Sequence, residues 1–148
     1  MRLLLFVTSF FVLVVSFFVY YFFYSSPKVG GDYTVQIRDA VFAVEVARDA
    51  LAWERGLSYR DHLPEGRGML FEFPKSDRYG FWMKDMRFPI DIIWIDAGVV
   101  VGFVERAAPD DRVDRTVYYP PKPVASVLEV PAGTVARFGI SAGDPLRL

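Results

Sequence analysis

The sequence predicts a mostly β, α+β domain. It is expected to be compact, barrel-like and built of short antiparallel strands with one or two short helices, behind a single N-terminal transmembrane helix. Three observations lead there. Leu3 to Tyr24 carries no charge over 22 positions. Several short runs beyond it alternate apolar and polar residues with period two. Only two short stretches, near 50–55 and 132–138, suit a helix. The chain has 148 residues, enough for one domain and an appendage. Its 53% hydrophobic content rules out intrinsic disorder. There are no cysteines, which excludes disulfides, thiolate nucleophiles, iron–sulfur clusters and cysteine zinc sites. His62 is the one histidine, so a multi-histidine metal site within one chain is excluded too. A net charge of −1 argues against nucleic acid as a partner.

The leading run comes first. Twenty-two helical residues span about 33 Å, against roughly 30 Å of bilayer hydrocarbon. Sixteen of the 22 are Leu, Val or Phe. Their insertion contributes at most about 5–10 kcal/mol. A helix packed onto so small a domain would be shorter and show a polar face, and this run has none. A cleaved signal peptide would have a shorter apolar region and a small-residue cleavage site. This run instead ends Tyr20-Tyr21-Phe22-Phe23-Tyr24, so an uncleaved anchor is expected, with the tyrosines in the interfacial belt. Arg2 precedes the helix and Lys28 is the first cation after it. The expected orientation leaves the N-terminus in the cytoplasm and the domain extracytoplasmic. The bilayer is then a partner through residues 3–24, in a segment 1–24. Residues 25–31 (Ser25-Ser26-Pro27-Lys28-Val29-Gly30-Gly31) read as a linker, where Pro27 stops the helix. Residues 32–148 form the folded part, with 15 bases and 18 acids and hence a net charge of 15 − 18 = −3.

Within the folded part, Tyr33, Val35 and Ile37 alternate with Thr34, Gln36 and Arg38. Phe42, Val44 and Val46 continue the pattern against Ala43, Glu45 and Ala47, and a hairpin is expected at Asp39-Ala40. Asp49 suits the cap of a helix from Ala50 to about Arg55, and Gly56 suits its end. Gly68 to Phe73 reads as a strand stopped by Pro74, and Phe81 to Met83 as another. Ile90 to Ile95 is strand-like, and Asp96-Ala97-Gly98 turns it into Val99 to Val104. Residues 107–123 read as an acidic, proline-rich loop. Ser126 to Val130 reads as a strand, Ala132 to Phe138 as one or two helical turns, and Leu146 to Leu148 as a last strand after a Gly143-Asp144 turn.

Six blocks occur in order: Gly56-Leu57-Ser58-Tyr59-Arg60, Gly68-Met69-Leu70-Phe71, Phe81-Trp82-Met83-Lys84, Pro89-Ile90-Asp91-Ile92, Leu128-Glu129-Val130-Pro131-Ala132-Gly133 and Gly143-Asp144. Their order and spacing resemble the DUF192 family, an uncharacterised family of bacteria and archaea. The resemblance covers residues 33–148. It implies a compact β-rich fold, frequently behind a signal or membrane anchor, and no established activity. The chain departs from the pattern at three positions. Ser58 stands where the family usually has Met, and Asp85-Met86 stand where it usually has Asn-Thr.

Five residues are expected to form a ligand-binding site: Trp82, Lys84 and Asp91, with Arg60 and Glu129 nearby. In a strand Trp82 and Lys84 share a face, an aromatic platform beside a cation. The plainer assignment is a core Trp82 under a surface Lys84. Asp91 shares parity with Ile93 and Ile95, so a core on that face buries it, and it then needs a partner. Lys84, Arg60 and backbone N–H groups of the preceding turn are possible partners. Such a carboxylate either tunes chemistry or holds a turn together. Glu129 shares parity with Val127 and also points inward.

Three function classes follow. The first is a membrane-anchored extracytoplasmic module binding a cell-envelope ligand or a protein partner. The second is a glycosidase-like hydrolase using Asp91 and Glu129, which needs two carboxyls roughly 5–10 Å apart. The third is an assembly module docking through aromatics such as Tyr118 and Tyr119. No cofactor is implied. A Ser58–His62 site lacks a nucleophile elbow. Asp110, Asp111 and Asp114 lack the glycine and distal glutamate of an EF-hand, which leaves a solvated loop. Arg55, Arg60 and Arg67 have no phosphate loop beside them and are expected to pair with Asp61, Glu65 and Glu54.

Overall fold

The computed structural model describes residues 33–148; the expected span over Leu3–Tyr24 lies outside them. Among the described residues no helix is long and apolar enough to cross a membrane.

Alternation of apolar residues forms the first hairpin, β1 (Tyr33–Ile37) and β2 (Ala40–Ala47). Its two-residue loop has no glycine, and Arg38 takes the left-handed conformation at φ 55° instead. Helix α1 (Ala50–Arg55) has the expected limits. The Asp49 carboxylate accepts the Ala52 N–H at 2.9 Å, and Gly56 ends the helix at φ 48°. Strand β3 (Arg67–Asp77) runs past Pro74 rather than stopping there. Its ladder with β8 (Val124–Pro131) shifts register between Glu72 and Asp77, so the missing N–H of Pro74 falls where no regular ladder bond is required.

Strands β4 (Phe81–Trp82) and β7 (Val117–Tyr118) pair as a separate ribbon, so the loop expected over 107–123 contains a strand. Strands β5 (Ile90–Asp96) and β6 (Val99–Ala107) form the second hairpin. Ala97 and Gly98 both have positive φ, 50° and 73°, the turn that matches strand twist. Helix α2 (Thr134–Phe138) and strand β9 (Leu146–Arg147) finish the chain.

The main sheet has the order β6-β5-β8-β3-β2-β1-β9. Its β2–β3 pair is parallel, against the expectation of antiparallel strands throughout. The physical reason is the connection, since α1 and the following loop carry the chain back to the start of the sheet, which a tight turn cannot do. The two edges of the sheet meet at one end. Val99 bridges to Pro145, and the Leu146 N–H bonds Gly98 O at 2.8 Å.

One face of the curved sheet packs Val35, Phe42, Val44, Leu70, Ile93 and Leu128 into an inner core, closed by Val135 of α2. The other face packs Met69, Phe71, Ile92, Trp94 and Val127 under an outer layer that includes Leu57, Trp53, Phe81 and Met86.

Candidate functional site

Period two decides which side chains of a strand share a face, and register decides which faces of different strands coincide. Asp91 pairs with Val130, and Ile92 pairs with Glu129. Asp91 therefore points to the inner side and Glu129 to the outer side of the same sheet. Both are buried, Asp91 at 0% and Glu129 at 6% exposure. The two-carboxylate hydrolase site does not form, because the sheet itself separates its acids.

Asp91 has a structural task. Its Oδ1 accepts the N–H groups of Arg106 at 2.8 Å and Gly133 at 3.0 Å, and its Oδ2 accepts that of Val135 at 2.8 Å. Arg106 sits at φ 52°, beside a register shift in the β5–β6 ladder, which turns its N–H toward Asp91. The carboxylate thus ties β5 and the end of β6 to the first turn of α2. Neither Lys84 nor Arg60 is its partner. Lys84 is exposed and lies 3.7 Å from the Asp85 carboxylate. Trp82 is 44% exposed and so is not a core residue.

Glu129 lies in a row across three strands of the outer face: Glu45 of β2, Met69 of β3 and Glu129 of β8 are in register. Arg60, from the loop after α1, grips Glu45 through both oxygens, at 2.5 and 2.7 Å. The Arg60 charge also acts on Glu129, but burial dominates and pushes that carboxyl up to about 8. Glu129 is therefore mostly protonated at neutral pH. Its Oε2 is buried with no hydrogen-bond partner. Gly68, facing Glu129 from β3, permits the close approach, since a Cβ there would stand 2.8 Å from the Glu129 carbonyl oxygen.

Above Glu129 is a cleft with about 30 Å³ of space for water-sized groups. A single water needs about 10–15 Å³ on that measure. Rings of Trp53, Phe71, Phe81 and Trp82 line it, with Met86 and the backbone turn at Gly56. The turn is held by the Gly56 N–H to Ala52 O, 2.9 Å, and by Ser58 Oγ to Lys84 O, 3.1 Å. Tyr59 fastens the same wall, its N–H donating to Asp85 O at 2.8 Å and its hydroxyl to Asp85 Oδ2 at 2.7 Å. Two of the three positions that depart from the family pattern, Ser58 and Met86, line this cleft, and Asp85 braces it.

Of the five expected residues, the structure brings Glu129, Trp82 and Arg60 to one side of the sheet, with Glu129 and Trp82 in the cleft itself. It removes Asp91 to the other side and leaves Lys84 at the surface. Sequence reasoning missed Glu45, which reads as an ordinary solvent-facing strand position. Its flanking Ala43 and Ala47 were the available signal, because a solvated face would carry more charge. The arginines also pair differently from the local expectation. Asp61 bonds Arg87, and Glu65 bonds Arg137 at 3.0 Å. Asp110 accepts from Arg112 at 2.8 and 2.9 Å and from the Thr116 N–H at 3.0 Å, which holds its carboxyl well below the usual range.

The fold and site define a small curved-sheet β domain with a buried acid under an aromatic cleft. The chain belongs to the DUF192 family, described as "Uncharacterized ACR", whose model matches residues 33–148. It is similar to a protein of unknown function from Novosphingobium aromaticivorans DSM 12444, with 30% identity and a TM-score of 0.74, over 82% of this chain and 89% of that one. It is also similar to a proposed transcription regulator from Sinorhizobium meliloti 1021, with 34% identity and a TM-score of 0.71, over 79% of this chain and 95% of that one. No functionally curated protein matches the sequence.

Proposed function

We propose that this protein is a membrane-anchored, extracytoplasmic module that binds a small ligand in the cleft over Glu129. The single observation behind the binding reading is the Glu129 carboxyl, buried at the base of a ring-lined cleft with Oε2 unpartnered. A buried polar atom without a partner costs about 1–3 kcal/mol, and a ligand that supplies the bond recovers it. The uncharged Leu3–Tyr24 run supports the anchor, and the cations flanking it support the orientation. The regulator description of the Sinorhizobium relative is not carried over, because a net charge of −3 over residues 32–148 opposes a phosphate backbone.

The binding reading is tested by screening small polar fragments against the full-length protein in neutral detergent, with thermal shift as readout. Stabilising fragments are expected to lose their effect in Glu129→Gln and Trp82→Ala and to keep it in Lys84→Ala. Fragments that stabilise all three variants equally would show that the cleft is not the site.

A second reading has its own observation. Trp82, Val117 and Tyr119 are exposed at 44%, 39% and 60% on and beside the β4–β7 ribbon. That apolar strip supports docking of a protein partner, with Tyr119 rather than the half-buried Tyr118 as its main contact.

A further inference from the structure

We infer that the cleft over Glu129 takes the ammonium head of a small organic amine. This rests on the binding reading above and specifies the ligand. Two features of the cleft select for a cation and a third limits its size. The first is the carboxyl at its base. Glu129 has room for a hydrogen-bonding partner and none within the protein for Oε2. The second is the wall. Four aromatic rings, those of Trp53, Phe71, Phe81 and Trp82, surround a small space. The faces of aromatic rings attract ammonium groups, and the Trp53 indole N–H is already committed to Ala47 O at 3.0 Å. The third is size, because about 30 Å³ admits a head group a few heavy atoms across. The remainder of the molecule would extend past the exposed Trp82.

The neighbouring charges are compatible. Arg60 is committed to Glu45 through both oxygens and does not line the cleft. Arg67 of β3 acts on Arg60 from the same side. Glu54 and Arg55 of α1 lie at the rim with opposite signs. From β5 the neighbour in register is Ile92, which carries no charge. Of the two acids that line the cleft, Glu54 is exposed to solvent and Glu129 is buried, so an ammonium that enters the cleft meets Glu129. Below the pH at which Glu129 ionises alone, its proton leaves to solvent as the ammonium takes its place, and the net charge of the site is unchanged. Amine binding therefore releases one proton.

The test uses the full-length protein in neutral detergent with methionine methyl groups labelled with carbon-13. The chain has four methionines, and Met86 lines the cleft. The probes are methylammonium, acetamide and acetate, each a methyl group bearing one polar head, cationic, neutral or anionic. Methylammonium is expected to shift the Met86 methyl resonance saturably. Its affinity should rise about tenfold per pH unit from pH 6 toward pH 8 and level off above. Glu129→Gln should abolish the response at every pH. A Met86 response to acetamide or acetate but not to methylammonium overturns the amine assignment while the binding cleft stands. A methylammonium response independent of pH, or retained in Glu129→Gln, also overturns it. Silence of Met86 toward all three probes overturns both the amine assignment and the cleft as a binding site.

Discussion

Glu129 and Asp91 are one strand apart and use burial in opposite ways. Asp91 is ringed by three backbone N–H groups, and Glu129 by apolar side chains with Arg60 at a distance. Environment rather than residue type separates an acid that holds the fold from one that is available for chemistry. The Glu129 shift also sets a pH dependence. Its carboxyl rises from an ordinary 4.5 to about 8 on folding. Between those values the native state holds a proton that the unfolded chain releases, so stability is greatest below the lower value and falls as pH rises through the window. The full effect is about 3–5 kcal/mol. Thermal unfolding from pH 5 to pH 9 is expected to show this decline in the wild type and a much flatter profile in Glu129→Gln. Equal slopes would mean that Glu129 does not hold its proton in the folded state.

Helix α2 shows how a short element depends on a distant side chain. It has five residues, too few to persist by propensity alone, and Gly133 at its N-cap has no side chain with which to bond the first turn. Asp91 supplies the missing acceptor from β5. Asp91→Asn keeps the shape but replaces one acceptor oxygen with a donor that faces backbone donors. The expected loss of stability is about 3 kcal/mol in urea unfolding, with faster hydrogen exchange at the Val135 amide. Helix α1, by contrast, carries its own cap in Asp49 and its own stop in Gly56. That difference explains why α1 was predictable to within about a residue, whereas α2 appeared only as one or two turns over 132–138.

The whole molecule combines a sheet whose edges meet, two apolar cores on its two sides and, by proposal, a bilayer anchor. The meeting of edges at Val99 and Pro145 leaves fewer open strand edges to pair with other chains. The cleft sits on the outer side, where α1, the turn after it and the β4–β7 ribbon roof the sheet. The anchor is tested on membranes from cells expressing the full chain. Alkaline carbonate washing is expected to leave the protein in the membrane pellet, and deletion of residues 1–24 to release it. Release of the intact chain by carbonate alone would remove the anchor from the reading.

The sequence by itself determined the family, the approximate strand positions, the approximate limits of α1 and the parity by which Asp91 and Glu129 were expected to face inward. These are local properties, since period-two alternation, caps and turn residues act within a few positions of one another. Only the tertiary structure decided that β2 and β3 run parallel, that the sheet edges meet and that Glu45 joins the row of Glu129. It also decided that Asp91 and Glu129 face opposite ways. Each acid's parity was correct within its own strand, but comparing them required the register between β5 and β8, which pairs Glu129 with Ile92 rather than with Asp91. A shift of one residue would have put both carboxyls on one face. That register is set by the packing of two cores at once, which no single strand's pattern contains.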